Sequence, residues 1–210
     1  MRTAISRNAF LLAAFAIICT AAVATVNVLT KPVIAKQEQL ALLKTINQLI
    51  PAEAYDNDIF ASCFIINDDE LLGKGQTQQV FVAKKSNKPV ALMLETSTFR
   101  GYAGEIKLAI GILADGKVAG VRAIRHTETP GLGDKIQTNK SDWIYSFDGK
   151  HYQKSQDARW EVKKNGGDID AFTGATITPR AVTLAVKDAL IYFQKNSDKL
   201  FNQVPNCGAL

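Results

Sequence analysis

The sequence predicts an α+β protein: an N-terminal transmembrane helix, then a domain of antiparallel strands flanked by helices. Three observations carry this. Ala9 to Val28 is an uncharged apolar run long enough to cross a bilayer. From Ala61 to Ile124 the hydrophobic pattern turns to short β-like runs divided by polar or Gly turns. Val182, Ala185, Val186, Ala189, Leu190 and Phe193 then return to helical spacing.

The apolar run is interrupted only by Thr20, Thr25 and Asn27, with Arg2 and Arg7 before it and Lys31 and Pro32 after it. A cleaved signal peptide would use Ala22-Val23-Ala24, but the run is longer than a usual signal core, which favours a retained anchor. A lipoprotein site at Cys19 is disfavoured by bulky Ile18. The charges on the two flanks nearly balance, so they do not decide orientation. Next, Val33 to Ile50 reads as a helix ended by Pro51, with Leu42 or Leu43, Ile46, Leu49 and Ile50 on one face. The expected organisation is therefore an N-terminus at 1–8, an anchor at 9–29, a linker helix at 30–55 and a globular domain at 56–210.

The β-like runs are Cys63–Ile66, Gln79–Ala83, Pro89–Leu94, Glu105–Ile112 and Val118–Ile124. Ala114-Asp115-Gly116-Lys117 reads as a hairpin turn between the last two. The order of these runs predicts an antiparallel meander.

Of the 210 residues 47% are hydrophobic and 21% charged, which is the composition of a folded protein. The net charge of +5 is mild and scattered, without interleaved aromatics, so nucleic-acid binding is not indicated. Three cysteines and two histidines give no zinc or iron–sulfur spacing. Cys19 lies in the anchor. Cys63 and Cys207 form one disulfide if the domain faces an oxidising compartment, or stay as two buried thiols; the sequence leaves both open.

After the last strand comes His126-Thr127-Glu128-Thr129-Pro130-Gly131-Leu132-Gly133-Asp134-Lys135. Pro130-Gly131 predicts a type II turn, and such a loop brings Thr129, Leu132 and Lys135 to one ligand. The competing view is a plain turn with a solvated rim. His126 reads as a hydrogen-bonded histidine at a strand end. Trp143, Tyr145, Phe147, Tyr152 and Trp160 follow in a polar stretch, either as stacking partners for a ring or as ordinary core.

The most informative stretch is Asp168 to Arg180, where Thr173, Thr176 and Thr178 surround Gly174-Ala175 just before the last helix. Thr178 reads as its N-cap and Pro179 as its first residue. A helix N-terminus offers free N–H groups and positive potential to an anion, phosphate above all. Gly174 admits close approach to the backbone, and small Ala175 keeps the way open. Spacing alone favours an ordinary capped helix start.

Asp170-Ala-Phe-Thr173-Gly174-Ala175-Thr176 resembles the signal of proteins that carry FMN in phosphoester linkage to a threonine. With His126-x-Glu128-Thr129-Pro130-Gly131-Leu132-Gly133, Gly101-Tyr102-x-Gly104, Lys163-Lys164-Asn165-Gly166-Gly167-Asp168, the anchor and the two soluble-domain cysteines, the whole chain resembles the RnfG/RsxG family of the Rnf/Rsx electron transport complexes. The related covalent-FMN component of the sodium-pumping NADH:quinone reductase, its C subunit, shares the two main motifs but is typically longer. The resemblance implies an FMN-binding domain in the periplasm of a Gram-negative cell, anchored in the inner membrane. It implies FMN covalently bound at Thr176, transferred from FAD by a flavin transferase with Mg²⁺ and release of AMP. It also implies a relay component without turnover of its own, working with the other subunits of a redox-driven ion translocase. The cofactor-binding set expected is Thr173, Gly174, Ala175, Thr176, Thr178, Glu128, Thr129, Leu132, Gly133 and Lys135, with no catalytic or metal-binding residues. Two other classes compete: a membrane-anchored periplasmic scaffold without flavin, and an enzyme using His126 and Glu128 as acid and base.

Overall fold

A computed structural model describes residues 2–207. Met1 and residues 208–210, which belong to the expected N-terminal segment and C-terminal tail, lie outside the described residues, as do the side chains of residues 2–4, Arg2 included. The chain forms two compact units, one ending at Lys44 and one beginning at Thr45.

The first unit is helical. It belongs to α1, which runs Arg2–Leu49 over 48 residues, where about 20 suffice to cross a bilayer. Its apolar part, from Ile5, is long and hydrophobic enough to span a membrane. Pro32 lies inside α1, and the helix passes through. Proline there removes only one N–H donor, and the turns on either side carry the helix on. Thr25 and Thr30 return their hydroxyls to the carbonyls of Ala21 and Val26, both at 2.8 Å, so these two hydroxyls are satisfied within the helix.

The second unit is a five-stranded antiparallel meander in the order β1-β2-β3-β4-β5: Cys63–Ile66, Gln78–Lys85, Lys88–Thr98, Ile106–Leu113 and Val118–His126. All five expected strands are present, and β3 runs on to Thr98. Ser86 and Asn87, both at positive φ, close the β2–β3 hairpin in two residues. The long α2, Ile177–Asn202, covers one face of the sheet. Its Val182, Ala185, Val186, Ala189, Leu190 and Phe193 form one core with Leu92, Leu94, Leu108 and Ile110. On the other face Leu49 seats against Gly111 and Gly120, which are register partners in β4 and β5. With both faces covered, most of β3 and β4 is buried.

The outer edge of β1 is covered by the C-terminal tail. The N–H groups of Asn206 and Cys207 donate to the Cys63 carbonyl at 3.0 and 3.4 Å, and Ile65 N–H donates to Asn206 Oδ1 at 2.7 Å. Cys63 and Cys207 are joined by a disulfide, their Cα atoms 5.5 Å apart. Cys19 is a free, exposed thiol in α1.

The polar stretch after β5 folds into short 3₁₀ turns, and its aromatics other than Tyr145 belong to the core. Phe147, Tyr152 and Trp160 are buried in the main cluster, and Trp143 packs against it while donating Nε1–H to the Asp170 carbonyl at 2.7 Å. Tyr145 lies under the Arg122 guanidinium, 4.8 Å from the ring centroid.

Candidate functional site

The register of the sheet decides where the site lies. Thr98, Ile106 and His126 stand side by side at one end of β3, β4 and β5. The β3–β4 connection and the segment after β5 therefore leave the sheet together. The turn that leads into α2 meets them, forming a cavity of about 320 Å³. Tyr102 comes from the β3–β4 connection. Glu128, Thr129, Leu132 and Gly133 come from the segment after β5, and Gly174 to Thr178 from the start of α2.

Glu128 is the organising side chain. It is only 4% exposed. Its Oε1 accepts the Ala103 N–H at 3.0 Å, and its Oε2 accepts the Thr178 hydroxyl. One carboxylate thus ties the three segments together. The packing around it is close: a Cβ on Gly133 would sit 2.8 Å from both Glu128 Oε2 and Thr178 Oγ1. The Thr129 carbonyl accepts from the N–H groups of Leu132 and Gly133 at 3.2 and 3.1 Å, and Gly131 has φ +78, so Pro130-Gly131 forms the tight turn its sequence predicts.

A second turn presents the threonines. Ala175 N–H donates to the Phe172 carbonyl at 3.2 Å, with Gly174 at φ +83 and in reach of Leu132. A side chain on residue 174 would be strained there. Thr176 follows at the N-cap position of α2, exposed and with no side-chain capping hydrogen bond. This corrects the expected helix start. The helix begins at Ile177, and Thr178 lies inside its first turn, because Glu128 draws the Thr178 hydroxyl inward. Pro179 is tolerated as the third residue, where its missing N–H is among the four that a helix leaves free.

Other expectations meet the structure differently. Lys135 does not line the cavity; its Nζ lies 6.0 Å from the centre of the Phe172 ring. Thr173 is exposed in the Phe172–Ala175 turn and is not part of the lining either. None of the aromatics between Trp143 and Trp160 reaches the cavity. His126 Nδ1 accepts the Glu128 N–H at 3.2 Å, while its Nε2 is buried without a hydrogen-bond partner among the described residues. The Glu128 carboxylate is spent on Ala103 and Thr178, so the two side chains do not form an acid–base pair. Sequence reasoning missed Tyr102 and Ile177 as lining residues. Both are large, apolar and exposed, at 70% and 49%, and exposure of that kind is visible only in three dimensions.

Among the described residues no cluster of His, Cys, Asp and Glu could hold a metal. The site is a small, mainly apolar cleft with a buried carboxylate in its wall and a free threonine hydroxyl beside a helix N-terminus. Its volume is near the lower end of ligand pockets, which run from about 300 to 1,000 Å³.

Comparison with known proteins gives this cleft a class. Residues 101–191, which contain the whole lining, match the family model of the FMN-binding domain. Residues 1–49 match the model of the RnfG N-terminal region. Over nearly its full length the chain is similar to the G subunit of the ion-translocating oxidoreductase complex of several bacteria. It is 47% identical to that of Shewanella amazonensis over 99% of this chain and 96% of the relative. It is 46% identical to that of Shewanella oneidensis, over 100% and 99%, and 45% identical to that of Vibrio cholerae, over 99% of each. The chain belongs to the RnfG family, the G subunits of ion-translocating oxidoreductase complexes.

Proposed function

We propose that the chain is the electron-relaying flavoprotein component of a membrane-bound, redox-driven ion-translocating complex, with FMN attached through its phosphate to Thr176. The observation that carries this is the placement of Thr176. Its hydroxyl caps nothing, stands exposed, and borders the cavity built by the two sequence motifs. The two neighbouring threonines are unsuited: Thr178 is buried on Glu128, and Thr173 is outside the lining.

The residues present fit the group. When bound, FMN supplies one- and two-electron chemistry at its ring. Tyr102, Leu132 and Ile177 offer apolar surface that packs on a flat ring and excludes water from it. Glu128, locked by Ala103 and Thr178, places a fixed polar group in the wall, where it bears on the ring's potential. The N-terminus of α2 favours a phosphodiester anion on the preceding residue.

A covalent tether suits a domain facing the periplasm, where a dissociated cofactor would not be replaced. Attachment requires a flavin transferase using FAD and Mg²⁺, because a threonine hydroxyl is a weak nucleophile by itself. The Cys63–Cys207 disulfide supports an oxidising compartment, hence a soluble domain in the periplasm with α1 as its inner-membrane anchor. The working partners are the other subunits of the complex.

The test is the intact mass of the full chain coexpressed with a flavin transferase, followed by peptide mapping. A gain of FMN less one water, localised to Thr176, is expected. An unmodified chain, under conditions that modify a known target, refutes the assignment.

A further inference from the structure

Thr176 and Ile177 also line a second cleft, of about 280 Å³, which shares no other residue with the Glu128 cavity. Its character is different. Arg100, Lys164 and Arg180 line it, and no acidic residue is in its lining. Arg180 is clasped by Glu161, with Nη2 at 2.7 Å from Oε1 and Nε at 3.0 Å from Oε2. Arg100 Nη1 is held by Asp188 at 3.0 Å. Each carboxylate fixes its guanidinium while leaving N–H groups unused, since a guanidinium carries five. Lys164 is exposed and has no ion-pair partner among the described residues; the adjacent Lys163 is taken by Asp170 at 2.7 Å. A cleft with two positioned guanidiniums and one unpaired ammonium suits an oxyanion.

We propose that this cleft is a phosphoryl subsite, in which Arg100, Lys164 and Arg180 hold the non-bridging oxygens of the flavin nucleotide phosphate on Thr176 while the ring occupies the Glu128 cavity. The proposal rests on Thr176 being the acceptor. Thr176 then stands between an apolar half-site and a cationic one, which matches the two chemical halves of FMN. The same cations serve attachment. In that step Thr176 Oγ bonds to the phosphorus of the FMN half of FAD. The phosphoanhydride bond to AMP breaks, AMP leaves with the bonding pair, and the hydroxyl proton passes to a base of the transferase. One phosphoanhydride is exchanged for one phosphodiester, with no change in oxidation state. Attacking and leaving oxygens lie in line, so AMP departs away from this chain. Cations lining the cleft beside Thr176 would stabilise the charge on the transferring phosphoryl.

The full chain is flavinylated with FAD, Mg²⁺ and a flavin transferase, comparing wild type with Lys164→Glu and with Lys195→Glu, an exposed site elsewhere on α2. Phosphorus NMR is then recorded on the loaded proteins. The expected result is an initial rate lowered on the order of tenfold in Lys164→Glu alone, the scale of one lost charge-assisted hydrogen bond. A displaced phosphodiester resonance is expected in the same variant. An unchanged rate and resonance overturn the proposal. So does a lowered rate with an unchanged resonance, which assigns Lys164 to docking of the transferase. Wild-type chain modified at a residue other than Thr176 overturns the acceptor assignment and this subsite with it; Thr176 modification with indifferent variants overturns the subsite alone.

Discussion

Glu128 and Thr178, fifty residues apart in sequence, meet in a buried hydrogen bond that joins the segment after β5 to the first turn of α2. This contact fixes the cavity wall and sets the position of Thr176 two residues earlier. Thr178→Val keeps the shape but removes the donor and leaves Glu128 Oε2 short of a partner. A destabilisation of about 1–3 kcal/mol is expected, read as a lower midpoint in chemical denaturation, with Thr178→Ser close to wild type.

Gly133 is needed because the same pair crowds it. A methyl group there would lie 2.8 Å from Glu128 Oε2 and 2.9 Å from Glu128 Cβ, atoms already held on other sides. Gly133→Ala is expected to cost about 1–3 kcal/mol and to loosen the cavity. Thermal melting would show the first effect, and flavin fluorescence of the loaded protein, raised by greater solvent access, the second.

Much of the fold was legible because its signals are local. The five strands follow from runs such as Gln79–Ala83 and Glu105–Ile112, and the Gly131 turn from the Pro-Gly pair. What escaped depends on partners distant in sequence. Nothing near Thr178 reveals that Glu128 takes its hydroxyl, so the local rule made it a cap. Lys135 looked close to the ligand by counting along the loop, but the 3₁₀ turn Gly133–Ile136 carries it to Phe172.

Asp188 gives stability a pH dependence. Burial is the largest influence on its carboxyl and raises its pKa above the ordinary 3.8, while Arg100 partly offsets this. With the folded value raised, the native state holds the proton more tightly. Asp188 therefore costs stability as pH climbs through the raised value, and the cost vanishes below about 3.8. Arg100→Gln removes the offset. The variant should be less stable than wild type near neutral pH, by up to about 1 kcal/mol, and the gap should close toward acid pH. A gap constant across the range would refute the electrostatic account.

The tail over β1 is held by a bridge between residues 144 apart in sequence. A closure of that length restricts the unfolded chain strongly, so Cys63→Ser with Cys207→Ser should cost about 2–5 kcal/mol. It should also free Asn206 from Cys63 and Ile65 and leave the β1 edge open to pairing with other chains. Hydrogen exchange should show early loss of protection at Ile65, whose N–H donates to Asn206. Protection equal to wild type would mean that the hydrogen bonds alone keep the tail in place.

The two threonines flanking Ile177 should behave in opposite ways. Thr176 is exposed and makes no capping bond, so Thr176→Ala should leave the melting temperature nearly unchanged while abolishing covalent flavin. Thr178→Ala should lower the melting temperature, because it opens the contact with Glu128, yet chain that remains folded should still accept flavin at Thr176. Acid-precipitated protein, in which only covalent flavin survives, distinguishes these outcomes directly. Flavin lost from Thr178→Ala and kept in Thr176→Ala would move the acceptor into the first turn of α2. The buried Glu128 contact would then have to open before each attachment.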